Sequence, residues 1–76
     1  MKWLGGCGYW QTIEGTTKAR KYYWVGRENN GVYFVGYFGF GRDVQCQNVS
    51  FESLNEAKAY CEKLDDEAVI IEATNA

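Results

Sequence analysis

Three cysteines, a run of three acids and no histidine are what this chain offers for chemistry. Cys7, Cys46 and Cys61 could supply a thiolate nucleophile or soft metal ligands. No two of them stand in a CxxC spacing, and an odd number leaves neither a full disulfide framework nor a four-thiolate site. Without histidine there is no ordinary general base near neutral pH, so a Ser-His-Asp triad or a Cys2His2 finger cannot be assembled. Asp65, Asp66 and Glu67 lack the alternating oxygen ligands and central glycine of a calcium loop. The chain also has no phosphate loop and no nucleophile elbow. The expectation is a protein that is not an enzyme and holds no cofactor or metal. Cys46 in an apparent strand and Cys61 on an apparent helix stripe read as small buried hydrophobes in a reduced, cytoplasmic setting.

Binding remains, and the elements that would present a binding surface come next. Seventy-six residues make one compact domain, 1–76. A chain of this size buries only about 60% of the surface it exposes when unfolded, enough for one two-layer core and hardly for a deep cleft as well. Segments 8–14, 18–26, 32–40 and 44–50 are rich in Tyr, Trp, Phe and Val and read as strands. They are separated by Glu14-Gly15-Thr16-Thr17, by Glu28-Asn29-Asn30-Gly31 and by Gly39-Phe40-Gly41-Arg42. Asn30-Gly31 suits the two positive-φ positions of a tight type I′ turn. Ser53-Leu54-Asn55-Glu56 is a capping box that starts a helix. Leu54, Ala57, Tyr60, Cys61 and Leu64 then form an apolar stripe opposite Asn55, Lys58, Glu62 and Lys63. Ala68-Val69-Ile70-Ile71 reads as a last strand. The predicted fold is α+β: an antiparallel sheet of four to five strands with one helix packed on one face, in the order ββββαβ.

Side chains alternate across a strand, so parity sorts the rings between two faces. In 32–40, Val32, Phe34, Phe38 and Phe40 share one parity and Tyr33, Val35 and Tyr37 the other, which suggests that the phenylalanine side meets the helix. In 18–26, the cations Lys18 and Arg20 mark their own side, with Tyr22 and Trp24, as outward, against Ala19, Lys21, Tyr23 and Val25. Trp10 and Thr12 separate from Tyr9 and Ile13, and Gln45 and Gln47 from Val44 and Cys46. The expected open face carries Trp10, Arg20, Tyr22, Trp24, Tyr33 and Tyr37. Amphipathic rings beside arginine are the residue types that dominate binding hot spots. The bland alternative is cross-strand pairing for stability, at about 0.2 to 1 kcal/mol per pair. A third reading is a homodimer formed by this face about a twofold axis.

Charge is divided along the chain. Residues 1–50 carry six cations and three acids, residues 51–76 two cations and seven acids, for a net charge of −2. Asp65, Asp66 and Glu67 would follow the helix C-terminus, where negative charge costs about 0.3 to 1 kcal/mol. They read as a solvated turn or as an acidic patch for a basic partner surface. Lys18, Arg20, Lys21, Arg27 and Arg42 form a modest basic set near the rings, which keeps single-stranded nucleic acid as an alternative ligand. The acidic balance weighs against it, because phosphate neutralisation supplies most nucleic-acid affinity. Gly36-Tyr37-Phe38-Gly39-Phe40-Gly41 is similar to the RNA-binding strand of RRM and cold-shock domains, but Val35 and Phe38 stand where that pattern needs a basic and a small residue.

Leu4-Gly5-Gly6-Cys7 is similar to a lipoprotein cleavage box, yet only six residues precede Cys7, too few for the apolar stretch of about 7 to 15 residues such a signal needs. No other run approaches the roughly 18 apolar residues of a membrane span, so no membrane association is expected.

A compact sheet followed by SFESLNEAKAYCEKL, with an acidic end and nothing catalytic, resembles the small accessory proteins of bacteriophages and mobile elements, anti-CRISPR proteins among them. The resemblance is one of architecture and implies a stoichiometric inhibitor in the host cytoplasm that occludes a nucleic-acid-processing defence complex by protein contact. The residues expected to meet a protein partner are Trp10, Arg20, Tyr22, Trp24, Tyr33 and Tyr37, with Asp65, Asp66 and Glu67.

Overall fold

A computed structural model describes residues 1–39 and 45–75. Among these residues, five strands form one antiparallel sheet: β1 (Trp3–Gly6), β2 (Tyr9–Thr12), β3 (Tyr22–Arg27), β4 (Tyr33–Phe38) and β5 (Gln45–Phe51). Each strand lies beside its neighbour in sequence, and the helix α1 (Leu54–Asn75) packs on one face. The α+β class and the helix on one side of an antiparallel sheet are as the sequence predicts. No helix among the described residues is long and apolar enough to cross a membrane. The turn signal from Phe40 to Arg42, and with it Phe40, Arg42 and Val44, lies outside the described residues.

Two elements differ from expectation. Trp3–Gly6 forms a strand outside the four predicted before the helix, because Cys7 and Gly8, at φ 53° and 92°, make a two-residue turn that folds β1 back on β2. Two successive positive φ values define the type I′ geometry whose twist suits a hairpin. At the other end, Ala68-Val69-Ile70-Ile71 is not a strand but the continuation of α1. Once a helix is nucleated, each further residue adds a hydrogen bond, and β-branching costs only tenths of a kcal/mol per residue. Beyond Gly41 the sequence has neither glycine nor proline to stop it.

The helix begins as predicted. The Glu56 amide donates to Ser53 Oγ at 3.2 Å, one half of the capping box. Its apolar stripe covers the sheet: Ala57 and Cys61 are fully buried against Tyr23, Val25 and Val35, with Leu54, Tyr60 and Leu64 alongside.

The central hairpin sets which face is covered. Glu28 N donates to Val32 O at 2.8 Å, and Gly31 N donates to Glu28 O at 3.0 Å. Gly31 has φ 83°, whereas Asn30 keeps an ordinary negative φ. The loop is therefore Asn29-Asn30-Gly31, three residues ending in a left-handed glycine, not the two-residue Asn30-Gly31 turn. The shorter loop would set Tyr23 opposite Phe38; the observed one sets Tyr23 opposite Tyr37 and Val25 opposite Val35. A slip of one residue exchanges the faces of a whole strand, and here it exchanges those of β4.

Candidate functional site

The covered face is the tyrosine face. Tyr23 is 1% exposed and Val35 0%, while Trp10, Tyr33 and Tyr37 pack against this core. Their rings meet in tilted pairs, Trp10 with Tyr33 at 5.9 Å and Tyr23 with Tyr37 at 6.1 Å between centroids. The expectation that Trp10, Tyr33 and Tyr37 stand on the open face is thus overturned. In β4 the loop length decides it. In β2, Trp10 lies opposite Val25, and Thr12 is 2% exposed, its Oγ1 accepting the Tyr23 amide at 3.0 Å where the β2–β3 ladder ends.

Tyr22 and Trp24 do lie on the open face, and the register adds Tyr9, Phe34 and Phe38 to them. None of these five rings packs against the buried core. Tyr22 stacks on Phe38 with centroids 4.9 Å apart and planes 16° from parallel, and Tyr9 stacks on Trp24 at 6.5 Å and 18°. Gly26 lies within this face, and the Trp24 ring covers it: a Cβ there would stand 3.7 Å from the indole. Flat-lying rings explain why Tyr22, Trp24, Phe34 and Phe38 are half-buried although no described element lies over them, while Tyr9 is 48% exposed. The indole N–H of Trp24 is buried without an acceptor among the described residues, a loss of about 1–3 kcal/mol for a donor removed from water. Next to the rings, Leu4, Tyr9, Gln11, Ile13 and Tyr22 border a shallow groove of about 480 Å³. Leu4 is 71% exposed.

The cations are placed differently from the rings of the open face. Lys21 lies over the Tyr37 ring at 4.8 Å, Arg27 over Tyr33 at 5.9 Å and Lys58 over Trp3 at 5.6 Å, all rings of the covered side. Their aliphatic stems cap the edges of the core while the charges stay wet. Arg20 is in the loop before β3 and not in a strand, with a left-handed φ of 57°.

Asp65, expected in an exposed acidic patch, is 3% exposed. It stands one helical turn beyond Cys61 on the same stripe of α1. Its carboxylate accepts the Lys18 amide at 2.8 Å, the Ala19 amide at 2.9 Å and the Tyr23 hydroxyl at 3.2 Å. Burial, and next the adjacent Asp65 charge, push the Tyr23 phenol well above its usual range. Asp66 pairs on the surface with Lys18 Nζ at 2.9 Å, and Glu67 is exposed. All three acids lie inside α1 rather than after it, so the predicted clash with the helix C-terminus does not arise. Asp65 ties the β2–β3 loop to the helix, and only Asp66 and Glu67 remain as surface charges.

Sequence reasoning missed Tyr9, Phe34 and Phe38 as open-face residues. The signal for Asp65 was present: extending the stripe from Ala57 and Cys61 by one further turn reaches it. No family model, curated protein or solved structure matches this chain.

Proposed function

We propose that this chain is a small non-catalytic binding protein that engages another protein through the open face of its sheet, with Tyr22, Trp24 and Phe38 at the centre and Tyr9 and Phe34 beside them. What carries this reading is the side-by-side placement of those rings with no described element over them. Aromatic side chains bury much area at low entropy cost, which suits such a face to a protein partner. Occlusion of a larger host complex, the mode of the phage-type inhibitors that the architecture resembles, is the form of action we assign to it. A protein ligand is favoured over single-stranded nucleic acid because Lys21, Arg27 and Lys58 lie over rings of the covered side.

The test compares the wild-type chain with a Tyr22→Ser/Trp24→Ser/Phe38→Ser variant shown by circular dichroism to be folded. Each is used as bait in a host-cell lysate, and retained proteins are identified by mass spectrometry. A protein held by the wild type and lost from the variant supports the reading; equal retention refutes it. Light scattering in parallel decides self-association: a wild-type dimer that the variant turns into a monomer replaces the foreign partner with a second copy.

A further inference from the structure

We propose that the loop between β2 and β3 is a carboxylate-binding site: Arg20 receives an Asp or Glu side chain of the docked protein segment, whose apolar residues lie along Tyr22, Trp24 and Phe38. This rests on the binding role proposed for the open face and names the chemistry of the partner there.

Arg20 and Cys7 are the two described non-glycine residues with positive φ, and Cys7 is explained by its hairpin turn. Arg20 directly follows the Lys18-Ala19 turn. A left-handed φ costs a non-glycine residue about 1–2 kcal/mol and persists only where the surroundings hold it. Here they do. Asp65 binds the amides of Lys18 and Ala19 on one side, and Thr17 Oγ1 donates to Lys21 O at 2.6 Å on the other, closing the loop around Arg20. The side chain is exposed at the lip of a depression of about 340 Å³ that Glu14, Thr17, Lys21 and Tyr22 also line. Tyr22 belongs to the open face, so the depression and the rings are continuous.

The charges around this depression select the ligand. Lys18 is neutralised by Asp66, and Lys21 lies over Tyr37. The Arg20 side chain makes no hydrogen bond or ion pair with a described residue. Glu14 faces Tyr22 and raises its phenol, after desolvation, through its charge and a hydrogen bond. The site thus offers one unengaged guanidinium, a planar fork suited to a carboxylate, beside one acid that would repel a run of phosphates. A single anionic side chain flanked by apolar residues fits this balance better than a nucleic-acid strand.

The experiment is display of a random peptide library on the full-length protein, followed by synthesis of the best binder and of its twin with Glu or Asp replaced by Gln or Asn. Both peptides are titrated into the wild type, Arg20→Asn and Trp24→Ser. Asparagine tolerates the left-handed φ, so Arg20→Asn removes the charge without unfolding the loop. The expected result is enrichment of an acid near aromatic or aliphatic residues. Amidation of that peptide should cost about tenfold or more in affinity for the wild type and almost nothing for Arg20→Asn. Peptides without an enriched acid, equal affinity for wild type and Arg20→Asn, or no enriched peptide would each overturn the inference. So would oligo(dT) binding that Arg20→Asn abolishes, since the ligand would then be phosphate. Binding that needs Trp24 but not Arg20 leaves the open-face reading standing and removes only the carboxylate; binding that needs Arg20 but not Trp24 removes the open-face reading.

Discussion

Ala19 donates its amide to Asp65 Oδ1 at 2.9 Å, joining residues 46 positions apart across the edge of the core. With the Lys18 amide and the Tyr23 hydroxyl, it surrounds a buried carboxylate with three donors, which is what such a charge requires.

Asp65→Asn should therefore destabilise the protein by about 2–4 kcal/mol, because the amide offers one acceptor where the carboxylate offers two and turns its NH2 towards a backbone donor. Tyr23→Phe should cost less, about 1–2 kcal/mol, since it removes one donor of three. Urea unfolding followed by far-ultraviolet circular dichroism measures both. Equal losses for the two variants would contradict the clamp as described.

Alkaline pH should unfold the chain earlier than the exposed residues alone would dictate. Burial pushes the Cys61 thiol up to about 12 from its ordinary 9, and Tyr23 is raised as well. In the window between the unfolded and folded values the unfolded chain has released protons that the native chain retains, so stability is full below about pH 9 and falls as pH rises. The slope per thiol approaches about 1.4 kcal/mol per pH unit. Urea midpoints at pH 8, 9.5 and 10.5 should decline in that order, and Cys61→Ala should flatten the first interval. A wild-type midpoint independent of pH over this range would contradict the assignment.

The β1–β2 turn predicts two opposite outcomes. Cys7→Asn places Asn-Gly in a type I′ turn and should stabilise the hairpin by about 0.5–1 kcal/mol, seen as a melting temperature several degrees higher. Gly5→Ala should cost 2 kcal/mol or more, by about the usual scale of backbone clashes. Gly5 has φ 144° and a Cβ there would fall on Tyr9 O. If Gly5→Ala melts with the wild type, β1 is not docked on β2 as described.

Substitutions on the two faces should separate stability from binding. Phe38→Ser removes one stacked ring from a face that no described element covers and should cost about 1 kcal/mol, whereas Val35→Ser places a hydroxyl in the dry core and should cost about 3 kcal/mol or more. Thermal melts of the two variants test the assignment of faces directly. The reverse ranking would mean that the helix covers the phenylalanine side.

Four of the five strands and the helix start were legible because they depend on local composition and on Ser53 with Glu56. The faces were not, because parity within a strand says nothing of how two strands are aligned. That alignment hangs on whether the loop before Val32 holds two residues or three, and Asn29-Asn30-Gly31 permits either. Sorting rings by their hydroxyls failed for a related reason. The most buried of the described rings, Tyr23, carries a hydroxyl whose acceptor comes from Asp65, far away in sequence. Trp10 was misplaced in the same way, since only its position opposite Val25 reveals its side.

The sequential order of the strands has a kinetic consequence. Each strand pairs with the one just made, so the sheet can assemble by short loop closures, and the helix is the last element to dock. Its tie from Asp65 to Ala19 in the β2–β3 loop spans 46 positions and should be absent when the barrier is crossed. Mutations at Val25 or Val35 are then expected to slow folding, and Asp65→Asn mainly to speed unfolding, a division that the two limbs of a chevron plot would display. A folding limb slowed by Asp65→Asn as much as by the valine variants would show that the helix is already docked there. In this order of events the carboxylate acts as a latch, setting how long the folded state lasts rather than how soon it forms.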